Sequence, residues 1–213
     1  LFLQGYGVST AYAAKIYRCY GKESIDKVKE NPYRLADDIW GIGFKTADGI
    51  ASKMGYEKND LRRCKSGLSY TLSSLSDDGH VYAEQEQLLK SAVELLEADQ
   101  DSIVQAMKEM VESEQLIMDG DVIYLPPFYY AEIGTANKLK NLMGSTSMKA
   151  VPVQPNIQAI SLQTGIEYDD VQVDAIRQAV NSKVMVLTGG PGTGKTTTTQ
   201  GIIAALKDMG LKI

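Results

Sequence analysis

The residues with the clearest chemical potential form a glycine-rich segment near the C-terminal end of the sequence. It matches the pattern G-x-x-x-x-G-K-[ST] with Gly189, Gly190, Pro191, Gly192, Thr193, Gly194, Lys195 and Thr196. Glycines allow the backbone to turn tightly and to point its N–H groups at phosphate oxygens. Lys195 can place its charge on the β- and γ-phosphates as the catalytic group, and the Thr196 hydroxyl can ligate Mg²⁺. The pattern therefore predicts a phosphate-binding loop for ATP and Mg²⁺, with Thr197 as an additional contact.

The sequence around this segment predicts the elements that position it. The consecutive apolar residues at 184–187 indicate a short buried strand before the loop, and a helix is expected to begin near Gly194. The N-terminal end of that helix would add its positive dipole to the phosphate site. A further helix is predicted at about 169–181. Gln172 in its first turn carries an amide that suits the edge of adenine, although its spacing alone also fits a solvated glutamine.

A second pair of segments could contact DNA. Residues 5–11 and 41–47 both read G-x-G-x-x-T-A, 36 residues apart, and each precedes an amphipathic helical stretch. Two short helices joined by a G-x-G turn form a helix-hairpin-helix, whose glycines let the backbone approach DNA phosphates without reading base sequence. The predicted contact residues are Gly5, Gly7, Gly41, Gly43 and Lys45. The alternative is that both hairpins only pack within the protein or bind another protein.

The charge distribution permits such a contact at the front of the chain. Although the net charge is −5, residues 1–65 hold 12 Lys and Arg against 8 Asp and Glu, whereas residues 66–143 hold 4 against 14. No apolar run approaches the roughly 20 residues that span a bilayer. Cys19 and Cys64 lie far apart, which fits a reducing compartment, and we expect a cytoplasmic protein. His80, the single histidine, is expected in a turn rather than in a catalytic site.

The middle of the chain is predicted to be mostly helical, from about residue 60 to 143. Two β-prone runs flank Asp119-Gly120-Asp121, which predicts a β-hairpin. Helices followed by a hairpin resemble a winged-helix unit, and a last helix is expected at about 128–143. The predicted organisation is a tandem helix-hairpin-helix at 1–66, a helical, winged-helix-like region at 67–143, a linker at 144–156 and the start of an α/β P-loop domain at 157–213.

The segment from Val186 to Thr197, together with the paired hairpins, resembles the RecD-like superfamily 1 helicases, which are related to the exodeoxyribonuclease V alpha chain. The long members of that family carry tandem helix-hairpin-helix elements ahead of the motor. The resemblance implies a 5′-to-3′ DNA helicase driven by ATP and Mg²⁺, with two RecA-like domains behind the N-terminal module. It maps Gln172 onto the adenine-reading Q motif. It maps Gly192, Gly194, Lys195 and Thr196 onto motif I.

The sequence starts at Leu1 and ends at Ile213, shortly after the phosphate loop, so both ends are expected to be cuts. The family's acidic Walker B pair, later DNA-contacting motifs and arginine finger would follow, and this piece alone is expected to be inactive. The function therefore refers to a parent protein in DNA recombination or repair. Its expected partner is DNA, either single-stranded or at junctions between single and double strands. No contact with a membrane is expected. Two alternatives share these residues: a DNA-repair P-loop ATPase that switches shape without unwinding, and a non-enzymatic DNA-binding adaptor.

Overall fold

The computed structural model describes residues 2–144 and 154–213, so most of the predicted linker at 144–156 lies outside the described residues. The chain divides into two compact units, Leu1–Glu132 and Ile133–Ile213. The helices are α1 (Phe2–Gly5), α2 (Thr10–Tyr20), α3 (Ser24–Glu30), α4 (Arg34–Asp38), α5 (Phe44–Lys53), α6 (Leu61–Asp77), α7 (Gln85–Leu96), α8 (Gln100–Glu112), α9 (Pro126–Gly144), α10 (Ile157–Thr164), α11 (Asp170–Asn181) and α12 (Lys195–Asp208). The strands are β1 (Ala83–Glu84), β2 (Ile117–Asp119) and β3 (Val122–Tyr124). The finer domain boundaries remain predictions.

The first five helices build two helix-hairpin-helix elements, α1–α2 and α4–α5, joined by a 3-10 turn at Gly21–Glu23 and by α3. Helix α2 begins where the Ser9 hydroxyl accepts a hydrogen bond from the backbone N–H of Tyr12 at 3.2 Å. It ends at Gly21, whose φ of 58° stops the helix. The tandem hairpins predicted from the repeated glycines are therefore confirmed.

The helices and the small sheet that follow have the order of a winged helix: α6, β1, α7, α8, β2, β3. The sheet is antiparallel with the strand order β1-β3-β2. Gly120, with a φ of 60°, closes the predicted hairpin between β2 and β3. Strand β1 was not predicted, because two residues that pair with a distant strand carry no periodicity of their own. His80 is exposed in the turn that follows α6, as expected.

One continuous hydrophobic core joins the hairpins to the winged helix. Its most buried large side chains are Ile16, Leu35, Leu68, Leu88, Ile103 and Ile123. Helices α6 and α7 approach closely at Gly67, where a Cβ atom would lie 2.5 Å from the side chain of Leu96. The predicted boundary at residue 66 therefore falls inside a helix that packs against both neighbours.

The second unit has a smaller core between α10, α11 and α12, formed by Ile160, Tyr168, Ile176, Val180, Ala204 and Ala205. Gly201 lets α12 approach α11, since a Cβ atom there would lie 2.5 Å from Ile176. The helices predicted at 169–181 and after Gly194 are confirmed as α11 and α12. Among the described residues, no helix is both long enough and apolar enough to cross a bilayer.

The predicted buried strand before the phosphate loop was wrong for this structure. Residues 184–187 form neither strand nor helix, and the Val186 side chain is 85% exposed. A parallel strand is stabilised only by neighbouring strands and by layers on both faces of the sheet. No described residue between 154 and 213 supplies such a neighbour, so the apolar run stays unpaired.

A partly buried ion pair links the second hairpin to the winged helix. Asp48 of α5 accepts hydrogen bonds from Arg63 of α6 through Nε at 2.7 Å and Nη2 at 3.0 Å. The Tyr33 hydroxyl donates to the same carboxylate at 2.9 Å. Arg63 Nη1 donates to the carbonyl of Leu96 at 2.7 Å, at the end of α7. One guanidinium thereby holds three elements together.

Replacing Asp48 with asparagine is expected to lower the free energy of unfolding by about 2–3 kcal/mol, because Arg63 would keep its desolvation cost without its charged partner. Chemical denaturation followed by circular dichroism measures this change. The matched control is Lys58→Gln, which breaks the exposed pair with Glu97 at 2.6 Å and is expected to leave the midpoint almost unchanged. Equal midpoints for the two variants would contradict the role given to Asp48.

Candidate nucleotide and nucleic-acid sites

The phosphate-loop segment forms an open turn that leads directly into α12. Gly192 and Gly194 have φ values of 79° and 75°, a region that side chains with a Cβ rarely adopt. Gly194 is the N-cap of α12, and no side chain caps the helix there. The first N–H groups of α12 therefore have no partner within the helix and can donate to an anion.

The Lys195 side chain curls back over the loop. Its ammonium donates to the carbonyl of Gly189 at 2.7 Å and to that of Gly190 at 2.5 Å. The Thr193 hydroxyl also donates to the Gly190 carbonyl, at 2.9 Å. These bonds hold the positive charge inside the curve of the loop. Phosphate oxygens bound there would compete with the two carbonyls for the ammonium protons.

The threonines after Lys195 differ in what they can reach. Thr196 is exposed in the first turn of α12, and Thr197 is half-buried. Thr198 is only 3% exposed and donates its hydroxyl to the Gly194 carbonyl at 3.0 Å. Thr196 is therefore the accessible one of the three, and its role as a Mg²⁺ ligand stays a prediction. The described residues contain no group of three His, Cys, Asp or Glu side chains suited to a metal, so Mg²⁺ would depend on phosphate oxygens as well.

Gln172 lies beside the loop and also serves as a helix cap. Its backbone N–H donates to Asp169 Oδ1 at 2.8 Å, and its Oε1 accepts from the Asp169 backbone N–H at 3.1 Å. This reciprocal pair is a capping box at the start of α11. A Cβ atom at Gly194 would lie 2.5 Å from Gln172 Nε2. The structure therefore places Gln172 at the loop, with one amide oxygen lone pair already used.

Gln172, Thr188, Gly189, Thr193 and Lys195 line a cavity of about 160 Å³. Pockets that enclose a whole small molecule usually start at about 300 Å³. The cavity is therefore sized for the phosphate end of a nucleotide rather than for all of it.

The backbone angles and helix caps of the two hairpins correspond in a different register from the one that the repeated residues suggest. The turn glycine with positive φ is Gly7 in the first hairpin (77°) and Gly41 in the second (88°), 34 residues apart. The N-cap of the following helix is Ser9 in one and Gly43 in the other. Gly5 is the last residue of α1. Its predicted place in the turn, as the equivalent of Gly41, was therefore wrong.

The physical reason is that only one position of each turn requires glycine. The residue with positive φ has that requirement, whereas an N-cap accepts serine as well as glycine. The 34-residue register also pairs buried apolar residues that the 36-residue register does not. These pairs are Val8 with Ile42 and Ile16 with Ile50. The positive-φ glycine and the N-cap of each hairpin therefore identify this register.

Lysines surround both turns. A Cβ atom at Gly41 would lie 3.0 Å from the ammonium of Lys15, which comes from the first hairpin. A Cβ atom at Gly7 would overlap the ammonium of Lys53, which comes from the second. Each turn is thus covered by a lysine of the other hairpin. Predicted contact Lys45 is exposed in the first turn of α5, with its ammonium 5.8 Å from the centre of the Tyr70 ring. Sequence reasoning missed Lys15 and Lys53.

The fold and the sites define a protein that joins a tandem helix-hairpin-helix module to a P-loop nucleotide site. Residues 1–82 match the family model described as the ATP-dependent RecD2 DNA helicase HHH domain, and residues 172–213 match an AAA domain. The chain is 25% identical over 225 residues to the ATP-dependent RecD2 DNA helicase of Deinococcus radiodurans. The aligned region covers 99% of the chain. The chain spans 31% of that protein's length. The resemblance to RecD-like helicases is therefore confirmed as a distant relationship along the whole chain.

Gly41 and Gly43 are expected to respond differently to substitution. Gly41→Ala forces a Cβ into the positive-φ region against Lys15 and is expected to cost about 1–2 kcal/mol of stability. Gly43→Ser is expected to change stability by less than about 0.5 kcal/mol, because its φ is −93° and Ser9 fills the same position in the first hairpin. Thermal unfolding of both variants checks this. A larger loss for Gly43→Ser would contradict the 34-residue register.

Lys195→Ala is expected to weaken binding of Mg²⁺–ATP by roughly 10- to 100-fold, since it removes a charged donor from the loop. Titration with a fluorescent ATP analogue in the presence of Mg²⁺ measures the affinity. Lys207→Ala is the charge-matched control, because Lys207 lies in the last turn of the same helix. Equal affinities of the Lys195 variant and the unaltered chain would show that the nucleotide binds elsewhere.

Proposed function

We propose that this chain is the DNA- and ATP-binding front part of an ATP-dependent DNA helicase that works 5′ to 3′ in DNA recombination or repair. The observation that carries the proposal is the presence in one chain of two hairpins with lysine-covered turns and a P-loop followed by a helix. Both match segments of RecD2-type helicases. The direction of unwinding rests on the resemblance alone.

The nucleotide site would work mainly by positioning and by electrostatics. The backbone N–H groups at the start of α12 would donate to the phosphate oxygens, while Lys195 would exchange its two carbonyl partners for the β- and γ-phosphates. Thr196 would contribute its hydroxyl to Mg²⁺, which supplies charge neutralisation at the phosphates when bound. Gln172 would keep its amide N–H₂ group and the second lone pair of Oε1 for adenine.

The hairpins would hold DNA through its backbone. The turns at Gly7 and Gly41 lie beside the ammonium groups of Lys53 and Lys15, which would donate to DNA phosphates. Contacts of this kind bind phosphates and carry no base sequence information. Gly43 and Lys45 would add the N-terminal end of α5 to the same contact. A helicase needs such sequence-independent binding, because it must act at any point along its track.

Two other functions use the same residues. A P-loop ATPase could couple nucleotide binding to a change of shape at DNA without unwinding it. A non-enzymatic adaptor is favoured by one observation: residues 66–143, which include most of the winged helix, hold 14 acidic against 4 basic side chains. That charge suits a protein partner better than DNA. The proposals differ in whether DNA changes the rate of ATP hydrolysis.

In the full-length protein, single-stranded DNA is expected to stimulate ATP turnover by at least about 10-fold, and strand displacement is expected to require that turnover. Coupled phosphate release and a labelled forked duplex measure the two activities. Lys195→Ala is expected to abolish both, because the charge at the β- and γ-phosphates is lost. Turnover that ignores DNA would favour the ATPase switch. DNA binding that Lys195→Ala leaves intact, without ATP turnover in either protein, would favour the adaptor.

A further inference from the structure

The side chain of Trp40 projects from the turn of the second hairpin and is 94% exposed. An indole is the largest apolar side chain, and folded proteins usually bury most of it. The 34-residue register pairs it with Tyr6 of the first hairpin, which packs partly against the core. Only the second hairpin therefore exposes the aromatic side chain at this position. The Trp40 indole is not part of the hydrophobic core.

The Lys15 ammonium lies close to the indole of Trp40. This ammonium lies 5.8 Å from the centre of the Trp40 ring and donates to the Trp40 carbonyl at 3.2 Å. The same ammonium would lie 3.0 Å from a Cβ atom at Gly41. A cation over the ring is attracted to its π-face, which leaves the rest of the indole open to solvent. The turn thus presents a flat aromatic surface and a positive charge side by side.

The acidic residues near this turn do not neutralise the charge of Lys15. Asp38 accepts a hydrogen bond from the Tyr20 hydroxyl at 2.7 Å and lies 3.7 Å from Arg34, so its charge is already partnered. Asp37 is exposed one residue earlier in the chain. Across residues 1–65 the balance is still positive, with 12 basic against 8 acidic side chains. A negatively charged partner is favoured over an apolar or basic one.

We propose that Trp40 stacks on an unpaired base of the DNA strand whose phosphates contact the second hairpin. The inference rests on the proposed DNA binding by that hairpin. A base within a duplex already has a neighbour on each face, whereas an unpaired or terminal base offers a free face to an aromatic ring. Stacking tolerates any base, which agrees with the sequence-independent phosphate contacts of the turns. Trp40 therefore selects single-stranded DNA or a junction over continuous duplex.

The chain itself supplies the probe, because Trp40 is its single tryptophan beside 12 tyrosines. Excitation at the red edge of the tryptophan band reports on Trp40 alone. Adding an oligothymidylate is expected to quench this emission, and a blunt duplex is expected to quench it far less. In fluorescence anisotropy with labelled DNA, Trp40→Ala is expected to weaken single-strand binding by roughly 5- to 100-fold. Blunt-duplex affinity is expected to change by less than about 2-fold, since its bases offer no free face.

Two variants and one altered DNA separate stacking from other effects. Trp40→Phe is expected to recover part of the single-strand affinity, because it restores an aromatic face. Tyr17→Ala is the matched control, since Tyr17 is 61% exposed on α2 and makes no part of the turn. An oligonucleotide of abasic sites keeps the phosphates and removes the bases. The affinity difference between the unaltered chain and Trp40→Ala is expected to disappear on this DNA.

The outcomes distinguish this inference from the function on which it rests. Single-strand binding with unchanged Trp40 emission and full affinity of Trp40→Ala would overturn the stacking and leave the hairpin–DNA contact standing. Equal losses on single strand, blunt duplex and abasic DNA would also overturn it, because the effect would then not depend on a base. Absence of binding to every DNA would overturn both proposals and leave Trp40 as a contact for another protein.

Discussion

The first unit depends on the ion pair between Asp48 and Arg63. The side-chain hydrogen bond from Arg63 to Asp48 raises the pKa of the guanidinium, and burial together with the bond to Asp48 raises the pKa of the Tyr33 hydroxyl. Both donors therefore keep their protons at physiological pH, so the carboxylate stays fully partnered. Because Arg63 also donates to the Leu96 carbonyl, the position of α5 is coupled to that of α7. The turn that precedes α5 is thereby attached to a helix whose position relative to α6 and α7 is set by charged hydrogen bonds.

The hairpins show how far repeated letters predict a repeated structure. The paired glycines predicted the existence of two helix-hairpin-helix elements. The paired glycines did not predict the 34-residue register between the hairpins. The reason is that an N-cap only prefers glycine, whereas a residue with positive φ requires it. The two turns share a positive-φ glycine but differ in the residues around it, and the aromatic pair of Tyr6 and Trp40 is found only when those glycines are matched.

In the nucleotide site too, some features depend on residues adjacent in sequence and others on contacts between distant residues. The phosphate loop and α12 depend on residues adjacent in sequence, so the pattern was sufficient to predict them. The strand predicted at 184–187 would depend on partners distant in sequence, and without them the segment forms no strand and Val186 stays exposed. Gln172 lies between these cases. Its capping box with Asp169 is a local effect, whereas its place beside Gly194 arises from the packing of α11 against α12 through Gly201.

The winged helix illustrates why fold alone does not assign DNA binding. Its α8 has the position in chain order that reads the major groove in helix-turn-helix proteins, yet its charged residues are Asp101, Lys108, Glu109 and Glu112. Lys65 of α6 approaches Glu109 at 2.7 Å, so part of that acidic charge is used within the fold. A surface with this charge would repel a phosphate backbone. The winged helix instead acts through its core and through Arg63, as the support that fixes the positively charged hairpins. Of two modules that each resemble a DNA-binding fold, the charge distribution therefore favours the hairpins for the DNA contact that we propose.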